Sequence, residues 1–249
     1  MVLIPRLRLA LTGLLAVGAV MISSCGQQVS GEAQSAAGEA QPTDGDSVSC
    51  DAGVVFVLDV SLSMDATDVA PSRLAAAKRA AKDFAAGLPD QTPLGFVTFA
   101  GTAQVVTRPS TDRDEFDKAI DSVTLSERTA TGEGIFTALS ATGLSPASAH
   151  RIILISDGKQ TVPADLNDSR GAYTAAQKAE QGGVPISTIS LGTDQGEVAV
   201  PGGTDGHTVR VPTDPESLRE IARLSGGEFH DAASAEELTT ALEAMSCDH

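Results

Sequence analysis

The stretch Gly53-Val-Val-Phe-Val-Leu-Asp59-Val60-Ser61-Leu62-Ser63 decides how this chain folds. Val54 to Leu58 is an unbroken apolar run rich in β-branched residues, and it ends in an acid and two serines. A run of that length with no polar alternation has no face to give to water, so it reads as a strand buried on both sides. Burial on both sides requires helices above and below the sheet. Working outward, the same pattern recurs at Gly95 to Ala100 (GFVTFA), Arg151 to Ser156 (RIILIS) and Pro185 to Leu191 (PISTISL), with a shorter strand expected at Ala103 to Val106, hairpinned onto its predecessor. Helical patterns fall between these strands. The expectation is an α/β fold in three layers, Rossmann-like, with a mainly parallel central sheet and helices on both faces.

The first helix carries Leu74, Ala77, Ala81, Phe84 and Leu88 on one stripe, with Arg73, Lys78, Arg79 and Lys82 off it. Further helices are expected at Arg113 to Val123, Gly132 to Thr142, Ser169 to Gln181 and Pro215 to Leu224. The last of these has Asp214 as cap, Pro215 in the first turn and Gly226-Gly227 as the stop. A final helix opens at Ser234-Ala-Glu-Glu237, a capping box, and shows Leu238, Ala241, Leu242 and Met245 on one side. The Gly-rich stretch Thr193 to Thr213 reads as an inserted hairpin near the sheet edge.

Before the fold come two segments of different character. Residues 1–24 place Arg6 and Arg8 ahead of an apolar run from Leu9 to Ile22, the layout of a secretory signal peptide and too short to span a membrane. Ile22-Ser-Ser-Cys25-Gly26 resembles the lipobox of bacterial lipoproteins, which implies that Cys25 is lipidated and becomes the new N-terminus. Residues 25–49 then read as the lipidated cysteine and a flexible tether, being Gly, Ala, Ser, Gln and acid with no aromatic or basic residue. Of the three cysteines, lipidation of Cys25 leaves a pair. Cys50 stands just before the first strand and Cys247 just after the last helix, so a disulfide closing the domain of residues 50–249 is expected in an exported compartment. The chain is therefore expected at the cell membrane, lipid-anchored, with its domain on the extracytoplasmic side.

The formal charge is −16 over 249 residues. Such a chain cannot supply the cations that displace counterions from a phosphate backbone, which argues against nucleic acid as a partner. No Gly-x-Ser-x-Gly elbow, phosphate-binding Gly-x-x-x-x-Gly-Lys loop or His-Glu-x-x-His pair is present, and the four histidines lack metal-ligand spacing.

In open α/β sheets ligands bind beyond the carboxyl ends of the strands. Three places there carry chemistry: Asp59-x-Ser61-x-Ser63, the loop Arg128-Thr129-Ala-Thr131-Gly132, and Asp157-Gly158. Alternate residues of an extended loop can point to one spot, and two hydroxyls with outlying carboxylates suit a hard, oxygen-seeking cation. These residues resemble the metal-ion-dependent adhesion site of von Willebrand factor type A domains. The resemblance implies that Ser61 and Ser63 touch the metal, Thr129 directly or through water, and Asp59 and Asp157 mainly through water. Thr131 is the neighbouring alternative. Thr129 is preferred because it stands three residues before Gly132, as in the family's Gly-Thr-x-Thr-Gly pattern, in which Arg128 here replaces a glycine. The implied ion is Mg²⁺, with Mn²⁺ or Ca²⁺ also compatible.

More narrowly, SDGKQTVP (156–163), GAYTAA (171–176), GVPISTISLGT (183–193) and VPTDPESLREIARLSGG (211–227) resemble the BatA-like bacterial group. Members of that group are usually held by transmembrane helices and often work with MoxR-type AAA+ ATPases; the lipobox departs from that arrangement. The implied function is capture of a protein partner whose Asp or Glu completes the metal shell. An alternative is an assembly or stability factor for an envelope complex with a purely structural metal. Enzymatic use of Ser63 lacks a positioned general base, so no enzyme is expected.

Overall fold

The computed structural model describes residues 52–145, 147–199 and 207–246. The leader, the tether, Cys25, Cys50 and Cys247 lie outside the described residues. In chain order the elements are β1 (Gly53–Asp59), a single 3-10 turn (Leu62–Asp65), α1 (Arg73–Gly87), β2 (Leu94–Phe99), β3 (Ala103–Ser110), α2 (Arg113–Ser122), α3 (Thr131–Thr142), β4 (His150–Ser156), α4 (Ala172–Gln181), β5 (Ile186–Leu191), β6 (Glu197–Ala199), β7 (Thr208–Arg210), α5 (Pro215–Ser225), β8 (Phe229–Ala232) and α6 (Ala235–Ala244).

The main sheet has the order β3-β2-β1-β4-β5-β8, parallel throughout except for β3. Every residue of β1 is buried, as its unbroken apolar run requires. Val54, Phe56 and Leu58 join a core with α1, α2 and α6, and Val55 and Val57 join a second core with α3, α4 and α5. Phe56 meets Phe84, Phe96 and Phe116 at ring-centroid distances of 6.1, 6.4 and 6.2 Å. The stripe Leu74, Ala77, Ala81, Phe84, Leu88 is buried as expected. The expected caps form at Asp214, whose side chain accepts from the Ser217 N–H, and at Ser234, whose side chain accepts from the Glu237 N–H.

The structure departs from the sequence reading in three places. β8, four residues long and partly exposed, was not expected; it pairs with β5 and forms the edge. β3 continues to Ser110 with irregular register against β2. α4 begins at Ala172 rather than Ser169. The inserted hairpin forms as expected, with β6 and β7 paired in a sheet of their own. Its base docks on the start of α1, where the Arg73 guanidinium donates to Thr193 O and Val211 O at 3.2 and 3.0 Å.

Register places the site. Asp59 pairs with Phe99, and Leu58 with Ile155, so Asp59 and Ser156 end level with each other. The chain leaves β1 toward β2 on one side and later returns to β4 on the other. That reversal opens a crevice at the carboxyl ends of β1 and β4.

Candidate metal centre

The crevice brings Asp59, Ser61, Ser63 and Asp157 together. Asp59, at the end of β1, is completely buried; its Oδ1 accepts from the Ser61 N–H at 2.8 Å and its Oδ2 from the Ser156 hydroxyl at 2.5 Å. The first of these bonds turns the chain, so that Ser61 Oγ and Ser63 Oγ face each other at 2.9 Å. Asp157, one residue beyond β4, is 2% exposed and accepts from the Ser63 hydroxyl and from Arg73 Nη1, the latter at 3.2 Å.

Thr129 lies on a loop bonded to the loop that follows β4. Its N–H donates to Thr161 Oγ1 at 2.8 Å, and its carbonyl accepts from the N–H groups of Thr161 and Val162 at 2.8 and 3.1 Å. Thr129 and Thr131 are both buried, and the hydroxyl of Thr131 makes no hydrogen bond. A buried orphan hydroxyl two residues from Thr129 argues for a ligand atom in this region.

Arg128, in the position where the family pattern has glycine, has φ 69°. That left-handed backbone costs an L residue roughly 1–2 kcal/mol. Gly132, at the start of α3, has no room for a side chain: a Cβ would stand 2.1 Å from Arg170 O.

Two buried acids at one point repel. Burial first, and then the negative charge of Asp157, push the Asp59 carboxyl up to about 7, against the hydrogen bonds from Ser156 and Ser61. Burial also raises Asp157, opposed by its bonds to Ser63, Arg73 and the Lys159 N–H. Arg73 serves Asp157, but Asp59 has no cationic partner among the described residues. The cradle thus offers two facing hydroxyls and two carboxylates short of positive charge, and these donors fit a hard divalent cation. Among the described residues no cluster of three or more His, Cys, Asp or Glu could hold a metal, because the donors here are largely hydroxyls.

Arg73 is the residue that the sequence reading misplaced. Helical spacing set it among the exposed cations, yet it is fully buried. Its Nε and Nη2 clasp Asp68 at 2.9 and 2.7 Å while Nη1 holds Asp157. Burial would raise Asp68, but the hydrogen bonds from Arg73 and Thr193 and the charge of Arg73 outweigh it, leaving Asp68 below its ordinary value. The glycines of the hairpin base admit the guanidinium: a Cβ on Gly196 would stand 2.0 Å from Nη2. One signal was available. A cation in the first turn of a helix stands at the positive end of the dipole and needs acids to hold it there.

Residues 54–160 match the sequence profile described as von Willebrand factor type A domain. The fold is that of a von Willebrand factor type A domain. A UPF0353 protein of Nocardia farcinica is 54% identical over 207 residues, covering 78% of this chain and 62% of the relative. The chain spans about three-fifths of the length of the curated relatives it matches. Among solved structures, the conserved hypothetical protein BatB of Bacteroides thetaiotaomicron superposes with a TM-score of 0.65 at 26% identity, covering 78% of this chain and 98% of that one. An aerotolerance-related membrane protein of Bacteroides fragilis gives 0.66 at 25% identity, covering 78% and 96%. The folded unit therefore has BatB-like structural neighbours. Among its described residues no helix is long and apolar enough to cross a membrane.

Proposed function

We propose that this chain is an exported, membrane-anchored binding module that captures a protein partner at the cradle, with an Asp or Glu of the partner completing the shell of a Mg²⁺ ion. The reading rests on one observation. Asp59 and Asp157 are buried beside two facing serine hydroxyls, and Asp59 has no cation among the described residues. Ser61 and Ser63 would hold the ion directly, Thr129 directly or through water, and Asp59 and Asp157 through water; Mn²⁺ or Ca²⁺ could take its place. When bound, the ion supplies an electron-poor open position for an anionic oxygen.

The role assigned is binding rather than catalysis. Asp59 is occupied by Ser61 and Ser156, and Asp157 by Ser63, Arg73 and the Lys159 N–H. These bonds hold both carboxylates in place as acceptors within the cradle. Placement at the membrane draws on the leader, on the lipobox around Cys25 and on the description of the Bacteroides fragilis neighbour as a membrane protein. The acidic surplus argues against a nucleic-acid partner.

The test is capture of partners from envelope extracts with and without chelator, using the wild-type chain and Asp59→Ala. Loss of the same partners in both arms is expected, and a partner set indifferent to both treatments would sink the reading. A second reading, an envelope assembly or stability factor with a purely structural ion, is favoured by the repulsion between Asp59 and Asp157, which a cation relieves with or without a partner. Under it, chelation lowers the melting temperature but spares capture.

A further inference from the structure

Four cations of the domain stand in ion pairs: Arg73 with Asp68 and Asp157, Lys82 with Asp121, Arg170 with Glu133, Arg223 with Glu220. Arg128 and Lys159 stand out by their place next to cradle residues. Both are exposed, and neither side chain has an ion-pair or hydrogen-bond partner among the described residues. Arg128 immediately precedes Thr129, and Lys159 follows Asp157 by two residues.

The loops that carry them are stitched together. Beside the Thr129 contacts with Thr161 and Val162, the Gly132 N–H donates to Gln160 Oε1 at 3.0 Å. The left-handed backbone of Arg128 is held from both sides, since Glu127 O accepts from the Gly101 N–H at 2.9 Å and the Ala130 N–H donates to Ala100 O at 2.6 Å. Gly101 lies under the arginine stem: a Cβ there would stand 3.4 and 3.6 Å from Arg128 Cβ and Cδ. Strain of this kind in an ordered loop is a pointer to function, argued from the observed outlier to the role. Residues 50–249 carry 15 basic and 29 acidic residues. Arg128 and Lys159 bring charge of the opposite sign to the two loops beside the cradle.

We infer that Arg128 and Lys159 form a cationic shelf beside the cradle, and that the partner segment is an acidic stretch that sets one carboxylate in the cradle and a second on the shelf. The inference rests on the reading of the cradle as a metal site for a carboxylate. The arginine fork can take a carboxylate by two parallel bonds, and the lysine adds a mobile point charge.

The probes are two fluorescein-labelled peptides, Gly-Gly-Gly-Asp-Gly-Gly-Gly and Gly-Asp-Gly-Asp-Gly-Asp-Gly. Their anisotropy is followed against the full chain in mild detergent at low ionic strength, with Mg²⁺ or with chelator. In Mg²⁺ the three-acid peptide should bind at least tenfold more tightly than the one-acid peptide. In the double variant Arg128→Gly, Lys159→Ala that gain should fall below threefold, and a melting temperature no lower than wild type for Arg128→Gly excludes unfolding as the cause. If the gain is absent in the wild type, or persists in the double variant, while the one-acid peptide still needs Mg²⁺, the shelf is overturned and the cradle reading stands. If the three-acid peptide binds equally in chelator but depends on Arg128, the shelf stands and the cradle reading falls. Binding of neither peptide in either condition overturns both.

Discussion

Replacing Arg73 by methionine tests whether a buried cation holds the cradle to the rest of the fold. The guanidinium is fully buried and serves both oxygens of Asp68, one oxygen of Asp157 and the carbonyls of Thr193 and Val211. Methionine fills part of the volume but leaves two acids and two carbonyls without that donor. Removing one partner of a buried ion pair costs roughly 3–5 kcal/mol, because the remaining charge is stranded. For a domain of this size each kcal/mol moves the melting temperature by about 2–4 °C, so a fall of roughly 6–20 °C is expected in chelator. Arg73→Lys keeps the charge and loses the fork, and should fall between wild type and methionine. Saturating Mg²⁺ should narrow the gap between wild type and Arg73→Met, since the stranded Asp157 then gains another cation. The assay is differential scanning fluorimetry of the three chains in chelator and across a Mg²⁺ titration. A methionine variant melting within about 2 °C of wild type, with the same response to Mg²⁺, would refute the reasoning.

The remaining predictions concern pH, packing and anchorage. With Asp59 raised from its ordinary 3.8 to about 7, the folded state binds more protons than the unfolded one in that interval, so the chelated protein should lose stability as pH climbs through it. Asp68, lowered in the fold, acts oppositely: its contribution is present above its unfolded value and lost as pH falls through the folded one. Melting curves from pH 4 to 8 should therefore decline toward neutrality in chelator and flatten in Mg²⁺, and a rise between pH 5 and 7 in chelator would contradict the assignment. Gly132→Ala drives a methyl into the Arg170 and Gly171 backbone, at a cost of about 1–3 kcal/mol; a lower melting temperature and weaker Mg²⁺ stabilisation are expected, and wild-type values for both would count against the packing argument. Cys25→Ser should move the chain from the membrane fraction to the soluble fraction and abolish acyl mass at the mature N-terminus, checked by fractionation and mass spectrometry; retention at the membrane would reject lipidation at Cys25.

The parts of this fold legible in the sequence are those whose signal is local. An apolar run with no polar alternation declares a doubly buried strand, and the spacing of Leu74, Ala77, Ala81, Phe84 and Leu88 declares a helix face, because each is a statement about water on one side and core on the other. β8 was not legible, since Phe-His-Asp-Ala is short and half-exposed and is a strand only because β5 offers it an edge. The site divides in the same way. Asp59, Ser61 and Ser63 share one turn and can be read together, and their hydrogen bonds confirm that turn.

By itself, then, the sequence determined the layer order, the buried faces, the turn that carries the two serines and the acidic surplus of the surface. Tertiary structure decided what surrounds that turn. It set Asp59 level with Ser156, so that two buried carboxylates repel in one crevice. It also brought the hairpin base, more than a hundred residues along the chain, over a cation that helical periodicity assigns to solvent. Periodicity separates water from core, but it cannot register a charge buried against other charges. That arrangement exists only when distant strand ends meet.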